Sequence, residues 1–162
     1  MSTNQDQALR VHLLEVLTGA SAHADFATVI DHFPEKHYGT KPPGTPYSAW
    51  QLLEHIRIAL YDLLDFSVNP DYVTLKFPDD YWPEQAAPAS TAEWHASVKA
   101  IKEDLAKFEK LINDPALDLY AKIPWGDGQT VLREVLVAAD HNSYHMGQIV
   151  LLRKQLDAWQ EK

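Results

Sequence analysis

The chain contains no cysteine. Disulfides, thiol nucleophiles and thiolate zinc sites are excluded together, and a cytoplasmic protein is expected. No apolar run is long enough to span a bilayer, so no membrane segment is expected. The opening residues, Met1 to Gln7, lack the basic and apolar regions of a signal peptide. Positive charge is scarce: 14 basic residues stand against 23 acidic ones, a formal net charge of −9. Such a surface repels phosphate backbones and anionic headgroups, so neither nucleic acid nor a membrane is an expected partner. A small anionic substrate stays open, because a bound divalent cation dominates its own pocket.

Helical periodicity is what the chain does have. Its 162 residues, 46% hydrophobic, suit one domain with a real core. A first helix is expected over about Gln5 to Leu17, with Leu9, Leu13, Val16 and Leu17 on one side and Thr18-Gly19 as its end. Ser21 is the expected cap of a continuation carrying Ala22, Phe26, Val29 and Ile30. Lys41-Pro-Pro-Gly44 cannot be helix. Ser48 and Gln51 form a capping box for a second helix, apolar at Trp50, Leu53, Ile56, Leu60 and Leu64 and ended by Asn69-Pro70. Ser90 and Glu93 form another box, opening a third helix with Val98, Ile101, Leu105, Phe108 and Ile112 inward. Thr130 caps the fourth. Between the second and third, Asp71 to Ala89 is aromatic and proline-rich, too apolar for a free linker. It reads as a loop folded back over something, with a short strand at Tyr72–Lys76 as the lesser alternative. The expected fold is all-α, a four-helix bundle with long connections over residues 1–162. Long connections leave the order of the helices open.

Asp140 to Gln148 is the stretch that carries chemistry. His141 and His145 are four apart, so they lie one above the other on one helix face, with Gln148 on the same stripe. Two imidazoles so placed can hold a metal ion from one side and need a third ligand. The pair alone is weakly specific, since surface histidines share this spacing. Asn142 stands where zinc proteases carry glutamate, which excludes that motif. Among the other histidines, His12 borders the apolar stripe of the first helix and reads as half buried. His32 and His37 lie in a loop, and His95 lies beside charged positions. His55 differs. It is mid-helix, beside Ile56, on a stripe with Gln51, Ala59 and Asp62 that borders the apolar face.

Trp50-Gln-Leu-Leu-Glu-His55, followed much later by His141-x-x-x-His145-x-Gly-Gln148, resembles the DinB/YfiT-like superfamily. Gly19-x-x-x-His23-x-x-Phe26, Lys41-Pro-Pro-Gly44, Asn69-Pro70 and Asp80-Tyr-Trp-Pro83 extend the resemblance over nearly the whole chain. The resemblance implies a four-helix bundle, often a homodimer. It implies a divalent ion such as zinc or nickel, held by His55, His141 and His145. It also implies, for some members, transferase or isomerase chemistry with a low-molecular-weight thiol.

Three neutral imidazoles leave a divalent ion its charge and an open position, the pattern of a catalytic rather than a structural site. A thiol bound there is deprotonated. Gln148, one turn past His145, is placed to orient a ligand or bound solvent, or else to fill a polar gap. His23 is a weaker candidate, as a pocket donor or base. Trp50 and Trp82 read as packing residues. Asp62 and Glu134 lie too far along their helices to complete the shell. The expected function is that of a metal-dependent enzyme, a transferase using a low-molecular-weight thiol or a hydrolase. The alternative is a non-catalytic metal-binding or stress-associated protein. The small-molecule substrate is not readable from the residues.

Overall fold

The computed structural model describes residues 3–19 and 22–159. Its helices are α1 (Thr3–Thr18), the short α2 (Phe26–Ile30), α3 (Ala49–Val68), α4 (Thr91–Asn113) and α5 (Val131–Gln155), with 3-10 turns at Glu35–His37 and Asp79–Tyr81. Among the described residues no strand forms, Tyr72–Lys76 included, and no helix is long and apolar enough to cross a membrane.

The four long helices make an all-α bundle. α3 packs on α4 and α5, and α1 packs on the same two, so α1 and α3 sit diagonally. Side-chain contacts give the directions. Trp50 and Trp94, in the first turns of α3 and α4, have ring centroids 6.4 Å apart, so these helices start at the same end. Trp125 Nε1, just ahead of α5, donates to Phe66 O near the end of α3 at 2.7 Å, so α5 runs against α3. Arg10, midway along α1, donates to Ile112 O at the end of α4 at 2.7 Å, and Arg153 at the end of α5 donates to Val29 O in the segment after α1, so α1 runs with α5 and against α4. The order is up, down, down, up. Parallel neighbours α3 and α4 need a long return. A helix the length of α3 covers about 30 Å, and residues 69–90 retrace it. This crossover is the aromatic loop, and its path brings it over His55.

The caps follow the sequence with two differences. Ser48 Oγ accepts from Gln51 N and Ser48 N donates to Gln51 Oε1, both at 3.2 Å, a complete box. Ser90 Oγ accepts from Glu93 N at 3.2 Å. The Glu93 carboxylate, however, takes the amide of Ala89 instead of that of Ser90, so the second box closes one residue further out. Thr130 caps α5 as expected, accepting from Arg133 N at 3.2 Å. The short α2 starts at Phe26, because Asp25 accepts from Thr28 N at 2.7 Å and ends the incoming chain there. Ala22 is therefore not helical, and Ser21 lies outside the described residues. α1 does end at Gly19, whose φ of +72° suits glycine and whose added Cβ would sit 2.8 Å from the His23 ring.

Two buried arginines do work that the apolar pattern does not display. Arg10 donates to Ile112 O, Asp114 O and Leu117 O, satisfying carbonyls at the end of α4. It takes an inward position beside Leu13 and Leu17. Val16, expected inward, is instead 51% exposed, and His12 faces solvent beside Glu15 at 3.1 Å. Arg153 does the same for α2, donating to Val29 O at 2.7 Å. Between them lies the core: Leu53, Ile56 and Leu60 of α3, Ile101 and Phe108 of α4, and Val135 and Ile149 of α5 are fully buried. Truncating one of the larger of these to alanine costs about 2–5 kcal/mol.

Candidate metal centre

α3 and α5 are packed neighbours in the bundle, and three histidines meet at their interface. One ring nitrogen from each of His55, His141 and His145 lies within 4.8 Å of the others. His55 and His145 are buried and His141 half-buried. The ring centroids of His145 lie 4.5 Å from those of both His55 and His141. No carboxylate joins the group among the described residues.

The hydrogen bonds set which nitrogens are bare. Tyr81 O can only accept, so His55 Nδ1, 2.9 Å away, carries the proton and Nε2 holds a lone pair. His145 Nδ1 donates to Gln148 Oε1 at 2.7 Å, leaving its Nε2 bare as well. His141 Nε2 lies 3.0 Å from His55 Nε2, and His141 Nδ1 is buried without a partner. Either neutral tautomer of His141 is unsatisfied. A proton on Nε2 strands the Nδ1 lone pair; a proton on Nδ1 sets two lone pairs against each other. A cation among the Nε2 atoms removes the conflict, so this donor set fits a divalent metal.

All three rings are held neutral, the form that binds metal. Burial, then the nearby His145 and His55, pushes His141 down to about 4. Burial also lowers His55, although its bond to Tyr81 opposes, and lowers His145, although Gln148 opposes.

The crossover roofs this cluster. Trp82 stacks on His55, centroids 3.8 Å apart and planes 8° apart, and also on Tyr47 at 4.0 Å. It therefore forms a wall of the site, a more specific role than packing; Trp50 is simply buried. Asp62 clasps the loop: its two oxygens accept from Tyr72 OH at 2.8 Å and Tyr81 OH at 2.6 Å. Burial first, then Asp62, raises the pKa of both phenols, that of Tyr72 to about 12. Between the roof and α5 lies a cavity of about 620 Å³. Its lining includes the histidines, Asp62 and Asp140.

His23 is not brought to this cluster. Its ring contacts Ala24 O and Ser143 Oγ at 2.9 and 3.1 Å. Ser143 is two residues from each α5 histidine, about 200° round the helix. Glu134 pairs with Arg133 at 2.7 Å, away from the histidines. The sequence reading assigned no role to Asp140, to the Tyr81 carbonyl or to the Asp62 clasp. For the last two the available signal was Asp62 on the His55 stripe together with the aromatic crossover.

A family model of the DinB superfamily matches residues 20–149. The chain belongs to the DinB superfamily. Comparisons with curated proteins and with solved structures returned no match. The DinB match includes α3, the whole crossover and the α5 segment that bears His141, His145 and Gln148.

Proposed function

We propose that this protein is a divalent-metal-dependent enzyme, with His55, His141 and His145 holding a zinc- or nickel-type ion and a low-molecular-weight thiol as the co-substrate of a transfer reaction. One observation carries the reading: three neutral imidazoles converge beside an open cavity, and no fourth protein ligand joins them among the described residues. A divalent ion polarises what it binds and lowers the proton affinity of a thiol or water.

The chain's own residues supply the rest. Tyr81 O and Gln148 orient His55 and His145 and keep their proton on Nδ1. Trp82 covers one face of His55 and holds its ring in place. With no cysteine in the chain, a thiol nucleophile must come from outside.

The test is a screen of the metal-loaded protein against several biological thiols and electrophiles, beside His145→Ala. Turnover by the parent protein alone supports the reading. Stoichiometric metal without turnover across the panel favours a non-catalytic metal-binding protein. The homodimer is likewise proposed, and a monomer by sedimentation at micromolar concentration overturns it.

A further inference from the structure

The lining of the cavity beside the histidines has an uneven chemistry. Its walls are aromatic or aliphatic: Tyr47, Leu63, Phe77, Trp82, Val137 and Tyr144 all contribute. No lysine or arginine lines it, whereas Asp62 and Asp140 both do. Asp62 is occupied by two tyrosine hydroxyls. Asp140 is exposed, and no hydrogen bond or ion pair of its side chain occurs among the described residues. Phe77, from the crossover, is 76% exposed, and Tyr144, from α5, is 66% exposed. Two large rings lining one cavity but left in water are apolar surface that a ligand's body would cover.

We infer that the site selects ligands with a metal-binding donor atom at one end and an uncharged or cationic aromatic body, and discriminates against anionic bodies. The inference rests on the proposed metal site for the donor end only; the body's selection comes from the chain. Apolar walls favour a ring or branched hydrocarbon. A positive group gains from the Asp140 carboxylate and from the exposed ring of Tyr144. A negative group away from the donor atom meets carboxylates and no cation to pair with. Bulk charge left anionic substrates open; the lining argues against them.

The experiment uses the full chain loaded with Co(II), whose visible spectrum reports a thiolate entering the metal's coordination independently of turnover. Three thiols of one shape are titrated: benzyl mercaptan, its para-aminomethyl cation and its para-carboxylate anion. The expected order of affinity is cation, neutral, anion, with the ends separated by about tenfold or more. Asp140→Asn should shrink the cation-to-anion ratio. Phe77→Ala and Tyr144→Ala should weaken all three alike. Equal affinities, an anion bound tightest, or no thiol binding by Co(II)-loaded protein overturns the inference. Failure to take up Co(II) at all strikes the metal reading instead, so the two failures are distinguishable.

Discussion

His55 and His145 meet over one cavity, yet their outer ring nitrogens are satisfied in opposite ways. His145 donates to Gln148, one turn along the same helix. His55 donates to the carbonyl of Tyr81, in a crossover that returns along α3. The α5 half is complete as soon as α5 is helical. The α3 half needs the crossover docked, which depends on Asp62 gripping Tyr72 and Tyr81 and on Trp82 stacking on His55. One half of the centre is local and the other tertiary, so perturbing the crossover should disturb them unequally.

The largest effect should come from removing a ligand. His55→Ala, His141→Ala and His145→Ala are each expected to abolish tight binding of about one divalent ion per chain. Equilibrium dialysis with elemental analysis measures this, and full occupancy in all three variants would remove the centre altogether.

Next come the two supports. Gln148→Leu and Asp62→Ala should each weaken metal binding by roughly 10–100-fold. Only Asp62→Ala should also change the near-ultraviolet dichroism of Trp82. If both variants change it, or neither does, the two halves are not built differently.

A smaller effect is expected from the ion itself. The apolar core spans all four long helices, so chelation should leave far-ultraviolet helical dichroism nearly intact. Added metal should still stabilise the fold, by about 2.7 kcal/mol at a hundredfold excess over Kd. Loss of helical signal on chelation would make the ion structural and count against the enzyme reading.

The smallest effect should appear in alkali. Tyr72 and Tyr81 hold their protons more tightly folded than unfolded, through burial and the Asp62 bonds. A raised pKa contributes stability that is fully present below the unfolded value of about 10 and lost as pH rises through the folded value, about 12 for Tyr72. The crossover should loosen in that window while the α5 half stays in place. Trp82 fluorescence follows it, and a flat response from pH 10 to 12 would show that the tyrosines do not hold the loop.

Local rules read well on this chain because they act within a few residues. The complete box at Ser48, the Thr130 cap, the Gly19 end and the stacking of His141 over His145 all follow from spacings of three to five residues. His55 stood out by its stripe bordering the apolar face, and the resemblance to the DinB pattern then made it the third ligand, since periodicity says nothing of what faces a residue. Of the misread positions, the Ser90 box turned on the Glu93 side chain reaching one residue further, while Val16 and His12 lie on the solvent side of α1, whose inward stripe runs through Arg10, Leu13 and Leu17.

The residues by themselves determined the four long helices, their approximate ends, and which face of α5 carries nitrogen ligands. Tertiary structure decided the up-down-down-up order, because long connections constrain direction weakly and the choice rests on contacts such as Trp50 with Trp94 and Arg10 with the end of α4. From that order came the crossover over α3, and from the crossover came the Tyr81 carbonyl, the Trp82 wall and the cavity whose lining includes Asp140. A helix spaces its own side chains, but it cannot specify what lies across from them.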